Sequence, residues 1–406
     1  MTGAVLKPGT VVDVQDVIRD AVMDRVPLAI EGGGGLSGLG RPMQAERTLK
    51  LDGLTGVVEY SPSELYATFR AGETLVDARA TLAEKRQRLP FDPPDVTGLY
   101  SDAGGPATMG GVVAAALSGP SRVAVGAARD YVVGVGFVDG QGQALKGGGR
   151  VMKNVTGYDL CKLTTGAFGT LGAITDVTFK VLPFANSEVT ILAHGLDDAA
   201  AQAMMSAAFK SPFEPVGAAH LPASAAAAIG GAGGADAVTA LRFEGFPDSL
   251  SYRTNAIRSF LPAGLELTEL EAEPSAVFWE AVRDVAPFQA PDPRALWRIS
   301  TAPTQGPKLV AEIAKLLEVD VFYDWAGGLI WLAVAVDAPN AGAEVIRPLI
   351  TTQGGHGTLM RADQSVRAAV EVFEPLSAPL LQLTQGLKRT FDPFNALNAG
   401  RMYAAV

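Results

Sequence analysis

Apolar residues at 14, 17, 18, 21 and 22 of "VDVQDVIRDAVMDR" recur at helical spacing and predict an amphipathic helix over 12–25. Residues 26–30 follow as a short buried strand that runs straight into "EGGGGLSGLGRP". Strands are then expected at 48–51, 56–61 and 65–72, and a helix over 74–85 with Thr74 as its N-cap. Residues 131–138 followed by "DGQGQ" read as a strand and hairpin turn. Residues 163–182 read as a glycine-spaced turn and an alternating strand, which Pro183 closes.

Further along, strands at 189–193, 238–246, 296–300 and 358–361 alternate with helices at 196–209, 249–261, 307–317 and 343–353. "FYDWAGGLIWLAVAV" reads as a hairpin across Gly327 and Gly328, and the Ala/Gly-rich patch 223–237 as a loose helix and loop. The last 21 residues read as a terminal helix and a turn-rich tail. The alternation predicts an α+β region with helices on one face of its sheet.

The glycine stretch decides the chemistry. Gly33, Gly35 and Gly38 satisfy GxGxxG, but a dinucleotide fingerprint needs a helix after the glycines, and Pro42 with the alternating "ERTLKLD" denies one. No GK[ST] follows for a Walker loop. What remains is a strand, a glycine loop and a strand. Such a loop can turn successive N–H groups towards one point as an anion nest, or be a flexible surface turn.

Composition narrows the field. The 406 residues suffice for two or three domains with real cores. A net charge of −10 without a basic block argues against nucleic acid and against an anionic membrane surface. The longest apolar run, "GLIWLAVAV", is far too short to cross a bilayer. "MTGAVLKPGTVVDVQD" carries no signal segment, so a cytoplasmic location is expected. The single cysteine, Cys161, excludes an internal disulfide and a cysteine-ligated cluster or zinc within the chain. His194, His220 and His356 lie far apart, without HxxxH or HExxH, and no metal site is expected.

Four blocks in order tip the balance. Residues 29–41 resemble the pyrophosphate loop of the vanillyl-alcohol-oxidase/PCMH-type FAD-binding superfamily. "GPATMGGVVAAALSGPSR" with "GAARDYVVGVGFVDGQG" is similar to its second loop. "GGGRVMKNVTGYDLCKLTTGAFGTLGAITDVTFKVLP" resembles its GYDL and GTLGxIT signature, and "FDPFNALNAGRMY" its tail. Within the superfamily, "LPFDPPD", "LSGPSR" and "GGHGTLMRA" are most similar to the FAD-binding E subunits of bacterial glycolate oxidases.

The resemblance implies a PCMH-type FAD-binding domain of two α+β subdomains over 1–184. It also implies an α+β antiparallel-sheet second domain over 185–385, and a segment 386–406 that packs back on the first. Gly32, Gly33, Gly34, Gly35, Leu36 and Ser37 would contact the pyrophosphate, mainly through backbone N–H groups. Thr108, Gly110 and Gly111 would lie along flavin and pyrophosphate; Ser118, Gly119 and Arg122 would flank the adenine-nucleotide side or the flavin edge, and Gly126 to Asp130 the next stretch. Gly169, Gly172 and Ile174 would hold the adenosine end, with Arg401 a tail candidate. Lys153, Tyr158 and Asp159 would fix a loop near the cofactor.

FAD is expected to be non-covalent, because the first glycine loop has no histidine. Glu31 stands where relatives carry arginine; it must point away, pair with a cation such as Arg41, or weaken binding. The implied partners are a second flavoprotein subunit and an iron–sulfur subunit of a glycolate oxidase complex. The complex would be cytoplasmic, or peripheral to the inner membrane through those partners. The implied substrate is a small 2-hydroxy acid, glycolate or D-lactate.

Oxidising such an acid needs a base, a hydride acceptor and a cation for the carboxylate. His356 and Arg361 are the catalytic candidates; the alternative for His356 is a turn or sheet-end residue satisfied by backbone. Arg298 and Arg242 sit on expected strands, where a carboxylate clamp competes with a buried ion pair or a solvent-facing position. Trp279, Trp297, Trp325 and Trp331 read as core or interface aromatics. The chain lacks the HxGDGN-like element of related dehydrogenases, which suggests that the partner flavoprotein oxidises glycolate while this subunit relays electrons or supports assembly. Two alternatives remain: a stand-alone oxidoreductase acting on a hydroxy acid or alditol, and a structural subunit whose FAD site has decayed.

Overall fold

The computed structural model describes residues 3–101, 104–150, 157–229 and 236–406. Its first helix, Val11–Asp24, buries Val14, Ile18 and Ala21 of the stripe expected from spacing. Thr10 and Asp13 close a reciprocal cap, each side chain accepting from the other's N–H at 3.2 and 2.9 Å.

The chain divides into two units, one of Met1–Leu117, Ala127–Pro183 and Glu371–Val406, the other of Ser118–Gly126 and Phe184–Val370. The short segment Ser118–Gly126, expected within the first domain, therefore groups with the second. The return to the first unit starts near 371 rather than 386. Phe373 accounts for the early return, packing edge-on against Phe168 at 4.8 Å and beside Tyr403 at 6.2 Å.

In the first unit, β1 (Ala4–Leu6), β2 (Leu28–Glu31) and β3 (Arg47–Lys50) form a parallel sheet in the order β1-β3-β2. β2 and β3 pair in parallel although only a helix-free loop joins them, as the glycines and Pro42 require. β4 (Val57–Ser61), β5 (Tyr66–Arg70), β6 (Gln87–Arg88), β7 (Val132–Val138), β8 (Ala144–Gly148), β9 (Ala173–Lys180) and β10 (Leu182–Pro183) follow. Five of them make an antiparallel sheet, β4-β5-β9-β7-β8, while β6 pairs with β10. Val14 and Ile18 join Leu28, Ile30 and Leu49 of the parallel sheet to Val138 and Ala173 of the antiparallel one in a single core.

Leu397 belongs to that core, and a fastening of buried polar groups holds it there. Lys388 Nζ donates to the carbonyls of Thr170 and Leu397 at 2.9 and 2.6 Å and to Asp392 at 2.7 Å. The Asp392 carboxylate accepts in turn from the N–H groups of Ala396 and Leu397. All three ammonium donors are used, which is how a lysine becomes tolerable inside a core. Burial still pulls its pKa down against the opposing pull of Asp392.

The second unit is one eight-stranded antiparallel sheet. Its strands are β11 (Ser187–His194), β12 (Gly217–Leu221), β13 (Val238–Gly245), β14 (Leu267–Glu271), β15 (Ala295–Ser300), β16 (Val319–Asp324), β17 (Leu329–Val334) and β18 (His356–Arg361). They run in the order β14-β11-β13-β12-β16-β17-β15-β18. Ile191, Leu241 and Phe243 pack on one face against Met204, Met205, Leu250 and Ile257 of the helices Asp198–Lys210 and Pro247–Ile257.

Alternate residues face the other way, and that face is not bare as expected. Helix Ala272–Arg283 covers part of it, with Trp279 Nε1 donating to Thr190 at 2.7 Å. Its buried residues 275, 278, 279 and 282 carry a helical period that the sequence reading passed over.

Candidate functional site

A cleft of about 950 Å³, part of it open to solvent, lies wholly in the first unit. Gly32, Gly33, Gly34, Gly35, Leu36 and Ser37 form one wall; Thr108, Gly110 and Gly111 form a second; Gly169, Gly172, Ile174 and Arg401 also line it. Pro93, Pro94, Val96, Thr97 and Phe168 join them. Pro93 and Pro94 belong to "LPFDPPD" and Phe168 to the GTLGxIT block, whereas Val96 and Thr97 offered no pattern.

The glycines are required by close packing more than by unusual backbone angles. A Cβ on Gly33 would stand 2.1 Å from the Pro106 carbonyl oxygen, and one on Gly35 would stand 2.3 Å from Thr97 Cγ2. Within 32–35 only Gly34, at φ +91°, takes the left-handed conformation anticipated for several of them.

The polar consequence is more informative. Gly33, Gly34 and Gly35 are buried, yet the N–H groups of Gly33, Gly34, Gly35 and Leu36 have no acceptor among the described residues. Buried amides are nearly always paired, and each orphan costs about 1–3 kcal/mol. Four in succession along one wall suit a ligand rich in acceptors and poor in donors, such as a diphosphate. The Ser37 N–H is not among them, since it closes a turn on the Gly34 carbonyl at 3.2 Å.

The tail fixes this wall from behind. Asn398 Oδ1 accepts from the Ile30 N–H at 2.7 Å, and its Nδ2 donates to the Phe168 carbonyl at 2.7 Å. Arg401 donates to the carbonyls of Ile30 and Leu36 at 3.3 and 3.1 Å, and its own carbonyl accepts from the Arg41 N–H. Arg401 thus holds the loop's carbonyl side.

Glu31 lines the cleft. Its Oε2 lies 3.4 Å from where a Gly34 Cβ would be, and among the described residues it forms no ion pair, with Arg41 or otherwise.

The other expected contacts are not among the residues that line this cleft. Ser118, Gly119, Arg122 and Gly126 belong to the second unit. There the Gly119 carbonyl accepts from Trp325 Nε1 at 2.9 Å, and Arg122 stacks on the Trp325 ring at 4.2 Å. Asp130 caps a short helix through the Ala127 N–H at 2.8 Å. Asp159 caps another through the Lys162 N–H, Tyr158 is 93% exposed, and Lys153 is outside the described residues.

The structure separates His356 and Arg361. They stand at opposite ends of β18, roughly 16 Å apart at ~3.3 Å per residue. His356 is exposed at the start of this edge strand. Arg361 donates to the carbonyls of Arg294 and Phe288 at 3.0 and 2.6 Å and pairs with Asp292 at 3.0 Å, so it fastens a loop. His220 is fully buried between Thr239 and Asp198, at 2.9 and 3.3 Å, and His194 meets Thr268 at 2.8 Å. Arg242 is neutralised by Glu188 and Glu244 at 2.5 and 3.2 Å. Among the described residues no group of acidic, histidine or cysteine side chains is arranged to hold a metal.

Residues 2–148 match the family of FAD binding domains. Over 388 residues, 95% of either chain, the sequence is 34% identical to the glycolate oxidase subunit GlcE of Escherichia coli strain K12. The chain belongs to the GlcE family. It is a family of FAD-linked oxidoreductases, and FAD is its cofactor. A more distant match, 30% identical over 50% of this chain and 42% of the other, is the glycolate oxidase subunit GlcD of Bacillus subtilis strain 168. The fold of this GlcE-family chain is like that of 4-ethylphenol oxidase from Gulosibacter chungangensis. The TM-score is 0.71 at 15% identity, covering 98% of this chain and 88% of that one. p-Cresol methylhydroxylase gives 0.70 at 12% identity with the same coverage. These likenesses establish the PCMH-type α+β architecture that the motifs implied.

Proposed function

We propose that this chain is the FAD-binding subunit of a glycolate-oxidising complex, passing electrons from a small 2-hydroxy acid through flavin toward an iron–sulfur subunit. A second flavoprotein subunit is the other partner. The complex works in the cytoplasm, or at the inner membrane through its partners; among the described residues no helix is long and apolar enough to cross a membrane. The observation that carries the reading is the run of orphaned amides at Gly33–Leu36 along one wall of the cleft.

The residues present fit FAD. The glycine wall with Gly32 and Ser37 holds the diphosphate by backbone N–H groups and a hydroxyl. Thr108, Gly110 and Gly111 flank flavin and diphosphate. Gly169, Gly172 and Ile174 hold the adenosine end. Apolar Ile30, Leu51, Val96, Val112 and Leu117 offer a water-poor lining for a planar ring. The lining contains no His, Cys or Tyr among the described residues, which supports non-covalent attachment. When bound, FAD supplies the acceptor for the two electrons leaving the hydroxyl-bearing carbon.

The test is the absorbance spectrum of the purified full chain with and without added FAD, followed by co-purification with its neighbours' products. Yellow protein with stoichiometric flavin, recovered with an iron–sulfur protein, is the expected result. A colourless chain that takes up no FAD overturns the proposal and favours a decayed site, for which Glu31 is the best argument.

A further inference from the structure

Two arginines of the second unit meet on one indole. The Arg122 guanidinium lies 4.2 Å from the Trp325 ring centre; that of Arg298, on β15, lies 5.1 Å from the same ring and 5.9 Å from Trp331. Both rings are fixed. Trp325 donates its indole N–H to Gly119 and its backbone N–H to Asp324, at 2.9 and 2.7 Å, and Trp331 is the register partner of Arg298 on β17.

The way this unit treats its other arginines gives the contrast. Arg242 is neutralised by two glutamates. Arg361 donates to two carbonyls and pairs with Asp292. Arg253 donates to the carbonyls of Phe213, Glu244 and Glu214 at 2.8, 3.0 and 2.7 Å. Arg298 is half-buried, as Arg253 and Arg361 are, yet among the described residues its guanidinium has no hydrogen-bond acceptor and no salt bridge.

Burial and the charge of Arg122 lower its pKa to about 10 against the opposing charge of Asp324, so it remains a cation at neutral pH. Stacking on indoles offsets part of the cost of gathering like charges. Asp324 sets one negative charge against the two guanidiniums, and the excess positive charge suits a further anion. A planar, forked donor set beside two indole rings suits a small carboxylate.

We propose that Arg298, together with Arg122, binds the carboxylate of a small 2-hydroxy acid or of the 2-oxo acid formed from it. The class of acid rests on the function proposed above; the anion site itself does not. The consequence is that this chain, and not its partner flavoprotein alone, grips substrate or product.

The test is titration of the FAD-loaded full chain with oxalate, a two-carbon carboxylate without an oxidisable hydroxyl, and with glycolate under anaerobic conditions. Calorimetry and indole fluorescence report binding, and inorganic phosphate serves as the competitor. Saturable binding is expected, weakened at least tenfold by Arg298→Gln and less by Arg298→Lys, which keeps the charge but loses the fork. FAD affinity and melting temperature should not change. Absence of oxalate and glycolate binding, equal affinity in Arg298→Gln, or equally tight phosphate overturns the proposal. If Arg298→Gln fails to fold, the Lys variant decides: wild-type affinity there also overturns it. Loss of FAD uptake with oxalate binding intact would sink the functional reading and leave the anion site standing.

Discussion

Replacing Lys388 with methionine keeps most of the apolar stem and removes only the ammonium. The residue is 4% exposed, and its partner Asp392 is 1% exposed. Losing the cation strands the carbonyls of Thr170 and Leu397 and leaves Asp392 with two backbone N–H donors and no counter-charge. Breaking one side of a buried, hydrogen-bonded pair costs about 3–5 kcal/mol. For a unit of this size that is a fall of roughly 6–20 °C in its melting temperature. Asp392→Asn should cost a similar amount, because it leaves the ammonium buried. The double variant should cost less than the sum, with a coupling of at least ~2 kcal/mol. Urea unfolding followed by circular dichroism, at constant m, gives the three numbers. A Lys388→Met variant within ~1 kcal/mol of wild type, or a coupling near zero, would refute the reasoning.

Other outcomes follow from the same geometry. Gly33→Ala must push a methyl towards the Pro106 carbonyl, so flavin content after purification should drop by at least about tenfold, at an overpacking cost of ~1–3 kcal/mol. Glu31→Gln removes a like charge from the cleft and should tighten FAD by roughly fivefold at low ionic strength and less in high salt; unchanged affinity at both would show that Glu31 does not face the diphosphate. Burial pushes the Asp292 carboxyl up, but hydrogen bonds from Arg294 and the charges of Arg361 and Arg294 outweigh it and hold its pKa below the ordinary 3.8. Because the folded pKa is depressed, its stabilisation is present above 3.8 and lost as pH falls through the folded value. Asp292→Asn should therefore flatten the acid limb of the stability–pH curve, and an unchanged slope would contradict the assignment.

Elements that bury a regular stripe were legible. Val14, Ile18 and Ala21, and the cap at Thr74, announce their helices, and Pro42 rightly denied a helix after the glycines. The cleft was legible because backbone sites write themselves in glycine, and the order of motifs located them. The reason for the glycines was misjudged: contact of Gly33 and Gly35 with neighbouring chain is a tertiary fact. So is the grouping of Ser118–Gly126 with the second unit, which depends on where Trp325 lies. His356 and Arg361 looked like a pair because they are near in sequence, whereas an extended strand holds them far apart. Asn398 was overlooked because its work is a hydrogen bond to Ile30, 368 positions away.

That distance along the chain has a timing consequence. A ribosome adding 5–20 residues per second needs about 20–70 s to travel from Ile30 to Asn398. Throughout that interval the nascent glycine wall lacks the groups that brace it from behind. Nucleotide loading therefore waits for the tail's arrival, and a nonsense mutation or protease cut just upstream of 388 should leave a chain that cannot shape its own cleft, however intact its amino-terminal sequence.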